Sequence, residues 1–414
     1  MISYREAMEI IAGAVGPLNG VPRGLHDVNR CATTNEVVSN LDVPTFANSA
    51  MDGFAVRAAK TALASTTNPV EMPVVGMIAA GDQPSTPPLG EGAVEIMTGA
   101  PMPPQCDAVV PIEQVETEPA DGHEFHQIRL REPVQAGRNV RLVGQDFCDQ
   151  LSVLAAGSLI EPHDIMALAA TGNDRLSARP MPCLSIITTG SELAMTGLPP
   201  QTGLIRDANG PYLAAFIQHI GATLQANETV PDSPGQLEKA ITDNADTADI
   251  ILTTGGVSAG RFDMVPDTVV RLGGEVLFHK VGIRPGKPLL LARLPNGTLL
   301  FGLPGNPVAV AVGLRFFVVP AMRYLQGLSP ERFHPARNLE TIHKKSALRF
   351  FAKASATVSA GGRLEVRLLP GQESFKISPL LQANCWAIAP EGPECIEAGE
   401  LIEIAPHYPT SFLQ

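Results

Sequence analysis

CLSIITTG, residues 183–190, is a short apolar run rich in β-branched residues that stops at a glycine. ADIILTTGG at 248–256 and TLLFGLPG at 298–305 repeat the pattern. Runs of this length without polar alternation read as strands buried on both faces, the habit of parallel sheets covered by helices. The segments between them carry helix signals. Ser233 with Pro234 reads as an N-cap and first helical residue before GQLEKAITDNA, and Asn306 with Pro307 does the same before VAVAVGLRFF. Gly221 stands where a helix-ending glycine belongs after PYLAAFIQHI. Residues 179–328 are therefore expected to form a three-layer α/β domain, with its loop chemistry at the carboxyl ends of the strands.

Upstream, residues 43–139 are rich in Pro, Gly and short β-type runs such as VEMPVVGMIAA and DAVVPIEQV, which predicts a small β-rich domain. It interrupts a discontinuous helical linker domain, 1–42 and 140–178, whose second half holds HDIMALAATG. Downstream, ATVSAGGRLEVRLLP and ELIEIAP alternate at period two, so 329–414 is expected to be a C-terminal β domain or barrel. The fold class is thus α/β plus β, multi-domain, in keeping with 414 residues.

A formal charge of −12 argues against a general nucleic-acid binder, because phosphate backbones are gripped by clustered Lys and Arg. An anionic ligand must be held by a local cluster. Cys31, Cys106, Cys148, Cys183, Cys385 and Cys395 form no C-x-x-C pair and read as reduced, mostly buried thiols. MISYREAMEIIAGAV suits an amphipathic helix and not a signal peptide, and PVAVAVGLRFFVVPAM is interrupted by Arg315, so a cytoplasmic protein without a membrane span is expected.

Four segments of the α/β region carry candidate chemistry. In TTGGVSAGRFDM, Gly255, Gly256 and Gly260 surround Ser258, which would let backbone N–H groups approach a phosphate, with Asp263 able to hold a divalent cation beside it. Taken alone, the glycines are better explained by a tight strand-to-helix turn. HKVGIRPGKPLLLA concentrates Lys280, Arg284 and Lys287 against the global charge, with Pro285 and Pro288 stiffening the loop, a pattern that fits an oxyanion better than a solvated surface. FGLPGNPVAV, with Pro304 and Asn306, is equally a helix start facing an anion or an ordinary capping turn. Glu192 in ITTGSELAM, on its own, reads as a first-turn carboxylate.

Two further segments, NSAMDGFAV with Asp52 and EIMTGAPMP with Thr98, complete a set of six that follow one another in a familiar order. Together they resemble the molybdopterin molybdenumtransferase family, the MoeA type that also includes the gephyrin E domain, through nearly the whole chain. The resemblance implies that adenylylated molybdopterin and molybdate are substrates and that AMP is released in the last step of molybdenum-cofactor assembly. By the same resemblance the TTGGVSAGRFD and GLPGNP loops cradle the pterin phosphate and adenylate, and Asp232 and Asp263 hold Mg²⁺. Arg284 and Lys280 hold the molybdate dianion, Glu192 acts as a base or orients water, and Asp52 and Thr98 complete the cleft from the other subunit of a homodimer. A molybdopterin adenylyltransferase upstream and apo-molybdoenzymes or cofactor carriers downstream are the implied partners.

The chain departs from the family pattern at three places. Lys353 in RFFAK stands where the family usually has Arg, keeping a charge but losing a bidentate fork, and would still contact substrate. In PGQESFKISPLLQAN, Glu373 stands where Gly is commoner, beside Ser374, and its carboxylate would repel a dianion. Gln145 in VGQDF replaces an acidic residue. A tungsten-inserting relative, or a non-catalytic cofactor-binding scaffold, are the alternatives these departures leave open.

Overall fold

The computed structural model describes residues 1–83, 92–119, 125–194, 202–257, 264–345 and 347–409. At its centre lies a six-stranded sheet built from β1 (Cys183–Thr189), β2 (Thr223–Val230), β3 (Ile250–Thr254), β4 (Glu275–His279), β5 (Leu290–Arg293) and β6 (Leu299–Leu303), in the order β2-β1-β3-β6-β5-β4. The three runs that predicted buried strands are β1, β3 and β6, and they pair in parallel. The sheet is nevertheless mixed. LLLA in the cation-bearing segment becomes β5, which runs antiparallel to both its neighbours.

Two-sided burial explains the unbroken apolar runs. Ile186 and Leu252 point into one core with helices α1 (Asn209–His219) and α4 (Pro307–Leu325). Ile187 and Ile251 point into the other, with α2 (Pro234–Ala245) and α3 (Met264–Arg271). The N-terminal helix Tyr4–Ala14, opened by a capping box in which Ser3 Oγ accepts from Glu6 N and Glu6 returns the bond, buries Ala7 and Ile11 in the α1/α4 core. That helix was expected in the linker domain; its packing lies with the α/β core. The two linker pieces are tied by short antiparallel pairings, Val21–Gly24 with Arg175–Ala178 and Val37–Val38 with Ser152–Leu154, as much as by the helix Pro162–Ala170.

The inserted region folds as a six-stranded sheet in which Gly53–Val56 pairs antiparallel with both Ala93–Ile96 and Ala108–Pro111. The C-terminal region closes on itself. Arg349–Val358 pairs with Leu364–Leu368 and with Cys385–Ala389, and the ring is completed through His334–Asn338 and Leu401–Pro406, giving a five-stranded barrel. One strand of the α/β region joins it: Ile283–Arg284 runs parallel to Arg349–Phe350.

α4 spans 19 residues and is apolar enough to cross a membrane, but 83% of its most apolar 18-residue stretch is buried inside the fold. Its Leu314–Val318 stretch widens to a π-helix around Arg315. Arg315 is 1% exposed and forms a two-pronged pair with Glu331 at 2.7 and 2.8 Å, while its Nε donates to the Pro406 carbonyl at 3.0 Å on the last barrel strand. Of the six free cysteines, Cys31 and Cys385 are buried but Cys148 and Cys395 are exposed, fewer buried thiols than the sequence led us to expect.

The Arg315 pair generates a stability prediction. Removing one partner strands a buried charge, so Arg315→Met should destabilise by about 3–5 kcal/mol, and adding Glu331→Met should recover part of that loss. The single tryptophan, Trp386, faces Phe316 of α4 edge-on at 6.2 Å, so its fluorescence during urea unfolding reports on this junction. A double variant less stable than both singles would show that the pair is not the relevant contact.

Candidate functional site

Each of β1, β3 and β6 ends in a loop at the same edge of the sheet, and these loops meet. Gly255 and Gly256, after β3, take φ of +90° and +64°, a left-handed region closed to most side chains. A Cβ on Gly255 would also stand 2.7 Å from the Thr189 carbonyl, so this turn requires glycine for packing as well as for conformation. Glu192 is exposed and Asp232 half-buried in the loops that follow β1 and β2, where Asp232 Oδ2 accepts from the Ser191 amide at 2.9 Å. Ser258 and Asp263 lie outside the described residues.

Two groups here escaped the sequence reading. Asp207 Oδ1 accepts from the amides of Asn209 and Gly210 at 2.9 and 3.1 Å, capping α1, and Asn209 Nδ2 donates to the Gly305 carbonyl at 2.8 Å. Asn209 thus links α1 to the β6 loop, and its buried Oδ1 finds no partner among the described residues. An Asp two residues before an Asn-Gly helix start was the available signal.

From Gly305 the surface opens into a cavity of about 510 Å³ between the α/β loops and the barrel. Arg284, Pro285, Lys287, Pro304, Asn306 and Ser374 all line it, together with Glu373 and Phe375. The pairing of Ile283–Arg284 with the barrel places Arg284 on this wall, its guanidinium 5.3 Å from the Phe350 ring centroid. No carboxylate among the described residues pairs with Arg284 or Lys287. Lys280 does not line the cavity; its backbone, at φ +74°, accepts from the Ile2 amide and holds the start of the chain.

The helix start at Asn306 differs from expectation. Its side chain caps nothing, and the first free amide, Val308 N–H, donates to the Ser374 carbonyl at 3.0 Å instead of facing the cavity. Lys353 differs more. It is 0% exposed, and its ammonium donates to three backbone carbonyls, so it is a buried cation and not a cavity-lining one. Burial pulls its pKa down, with Glu373 acting the other way. Nor is Glu373 a bare anion: Lys376 Nζ lies 3.0 Å from its Oε1, and its own backbone amide and Lys376 hold its carboxyl below the usual range. Gln145 accepts from the Leu142 amide and closes a local turn.

Asp52 and Thr98 come together in a different place. Gly53 pairs with Ile96 in the inserted sheet, so the residues just beyond that ladder share one end of it, and Thr98 N–H donates to Asp52 Oδ1 at 2.6 Å. Both are exposed, and neither lines the Arg284 cavity.

That bond, followed by a side-chain contact from Thr98, lowers the Asp52 pKa. A carboxyl whose folded pKa is depressed adds stability above its unfolded pKa of about 3.9 and loses it as pH falls through the lower folded value. The Asp52 carboxyl carbon and the Thr98 amide should therefore titrate together by NMR with one midpoint below the ordinary Asp value. A midpoint at or above that value would remove the bond from the account.

Known proteins match along the whole chain. The family models described as "MoeA N-terminal region (domain I and II)", "Probable molybdopterin binding domain" and "MoeA C-terminal region (domain IV)" match residues 2–172, 185–324 and 335–407. The molybdopterin molybdenumtransferase of Synechococcus elongatus is 34% identical, covering 98% of this chain and 99% of that relative. The one from Staphylococcus aureus strain MRSA252 is 31% identical, covering 97% and 95%. The crystal structure of the molybdopterin biosynthesis MoeA protein from Pyrococcus horikoshii OT3 superposes with a TM-score of 0.79 at 25% identity, covering 98% of this chain and 100% of that one. Three family models in series, full-length relatives above 30% identity and a matching multi-domain fold agree: the chain belongs to the molybdopterin molybdenumtransferase (MoeA) family.

Proposed function

We propose that this chain inserts molybdate into adenylylated molybdopterin, releasing AMP in the last step of molybdenum-cofactor assembly. The observation that carries the reading is the cavity lined by Arg284 and Lys287, a pair of cations in a chain of net charge −12, together with Pro304 and Asn306 at the end of β6, whose Gly305 lies against Gly255 at the end of β3. A tetrahedral dianion leaving water needs charge-assisted donors, and these two side chains offer them beside the loops that would take a phosphate.

The division of labour follows from position. Gly255 and Gly256 hold the left-handed turn that ends β3, and the loop that follows would take a phosphate. Glu192, exposed beside Asp232, would orient or deprotonate the water that cleaves the adenylyl linkage. Among the described residues no three His, Cys, Asp or Glu side chains form a metal cage. A lone loop carboxylate still fits Mg²⁺, which binds through one or two carboxylates plus substrate phosphates. Asp232, with Asp263 as the second ligand, would hold that ion, which when bound neutralises charge on the phosphoanhydride.

Asp52 and Thr98 enter the reading through a homodimer. They are exposed, joined to each other and away from this chain's own cavity, which fits residues that serve a partner subunit's cleft.

Arg284→Ala should raise the molybdate concentration for half-maximal AMP release by roughly ten- to hundredfold, the worth of a charge-assisted bond of about 1.5–3 kcal/mol, and leave pterin affinity nearly unchanged. An unchanged molybdate requirement would place the oxyanion elsewhere. Mixed dimers of Asp52→Ala and Asp232→Asn chains should regain about one working cleft per dimer, measured as AMP release after subunit exchange. No recovery in proven heterodimers would count against a shared site.

A further inference from the structure

The ammonium of Lys353, buried between a barrel strand and the 371–376 loop, has a consequence for the cleft. Lys353 Nζ donates to the carbonyls of Gly371, Glu373 and Lys376 at 2.6, 3.2 and 3.0 Å, which uses all three of its protons. Gln372 makes the return connection: its Oε1 accepts from Lys353 N at 3.0 Å, and its Nε2 donates to the Lys353 and Leu369 carbonyls at 2.8 and 2.7 Å. The loop 371–376 is therefore wrapped around one cation, with its inward carbonyls satisfied by a side chain in place of a sheet ladder.

What that loop presents outward is part of the cleft. Ser374 gives its carbonyl to Val308 N–H at the start of α4, and Glu373, Ser374 and Phe375 form part of the wall of the cavity that Arg284 and Lys287 also line. A shift of the loop moves that wall and breaks the tie to α4 together. A compact ammonium can satisfy three converging carbonyls, whereas a planar guanidinium spreads its donors in a fork, so Arg is not a conservative replacement in this closed space.

We propose that Lys353 is a positioning residue, clamping the 371–376 loop so that the width of the Arg284 cleft, and with it the size of tetrahedral dianion admitted, is set from the outer face of the barrel beneath that loop. This rests on the reading of the cleft as the oxyanion site. Sulfate, smaller than molybdate, is the informative competitor.

The test uses the full-length chain with Lys353→Met, Lys353→Arg, Gln372→Leu and Arg284→Gln. It combines amide hydrogen exchange with sulfate competition against molybdate in AMP release. Lys353→Met and Gln372→Leu should each speed exchange at Val308 and across 371–376 by at least tenfold and narrow the discrimination between molybdate and sulfate, and Lys353→Arg should not restore either. If Lys353→Met does not fold, Gln372→Leu carries the comparison. Normal exchange at Val308 combined with lost molybdate response would make Lys353 a ligand and overturn the proposal, as would fast exchange with unchanged discrimination. Arg284→Gln should keep exchange normal and weaken both anions. Unchanged anion response in that variant would sink the oxyanion reading, while the exchange data would still judge the clamp.

Discussion

A guanidinium taken out of water must find partners, and among the described residues Arg315 finds its hydrogen-bond partners beyond its own helix. Glu331 lies in the connection leading to the barrel and Pro406 on the barrel's final strand, so the π-widened middle of α4 is bonded into the C-terminal domain. Phe316 and Phe333, 5.5 and 5.9 Å from the guanidinium carbon, pack around the pair. The first turn of α4 is bonded to the same domain through Ser374. With two attachments along one rod, the barrel cannot slide over the α/β loops without breaking charged or buried bonds, and the cavity between them keeps a defined shape.

The strands were legible because burial on both faces leaves an unbroken apolar run, as in β1, β3 and β6. Their directions were less so: LLLA reads the same whether β5 runs with the sheet or against it. Pro234 and Pro307 marked helix starts correctly because a fixed φ and a missing N–H are local properties. The acceptor for Val308 N–H was not local; it comes from Ser374 in another domain.

The same divide separates the site residues. Arg284 and Lys287 stood out against the net charge and do line one cavity with Pro304 and Asn306. Lys353 looked alike in sequence, a cation in a suggestive motif, but on its strand Phe350, Ala352 and Ala354 fill the barrel core, so Lys353 lies on the opposite face and is buried under the 371–376 loop, which no local pattern reveals. Asp52 and Thr98 carry no local signal at all; sheet register unites them, and resemblance alone pointed there.

The parallel pairing of Ile283–Arg284 with Arg349–Phe350 bears on how such a protein can be rearranged over evolutionary time. A barrel normally abolishes exposed strand edges, yet here its outer seam is sealed by a piece of the neighbouring domain. Cutting the chain between the two would bare a hydrogen-bonding edge on the barrel and leave Arg284 without its scaffold. The domains can therefore drift in sequence, but shuffling one without the other carries a penalty in aggregation and in function at once, and the borrowed strand makes the pair a single inheritable unit.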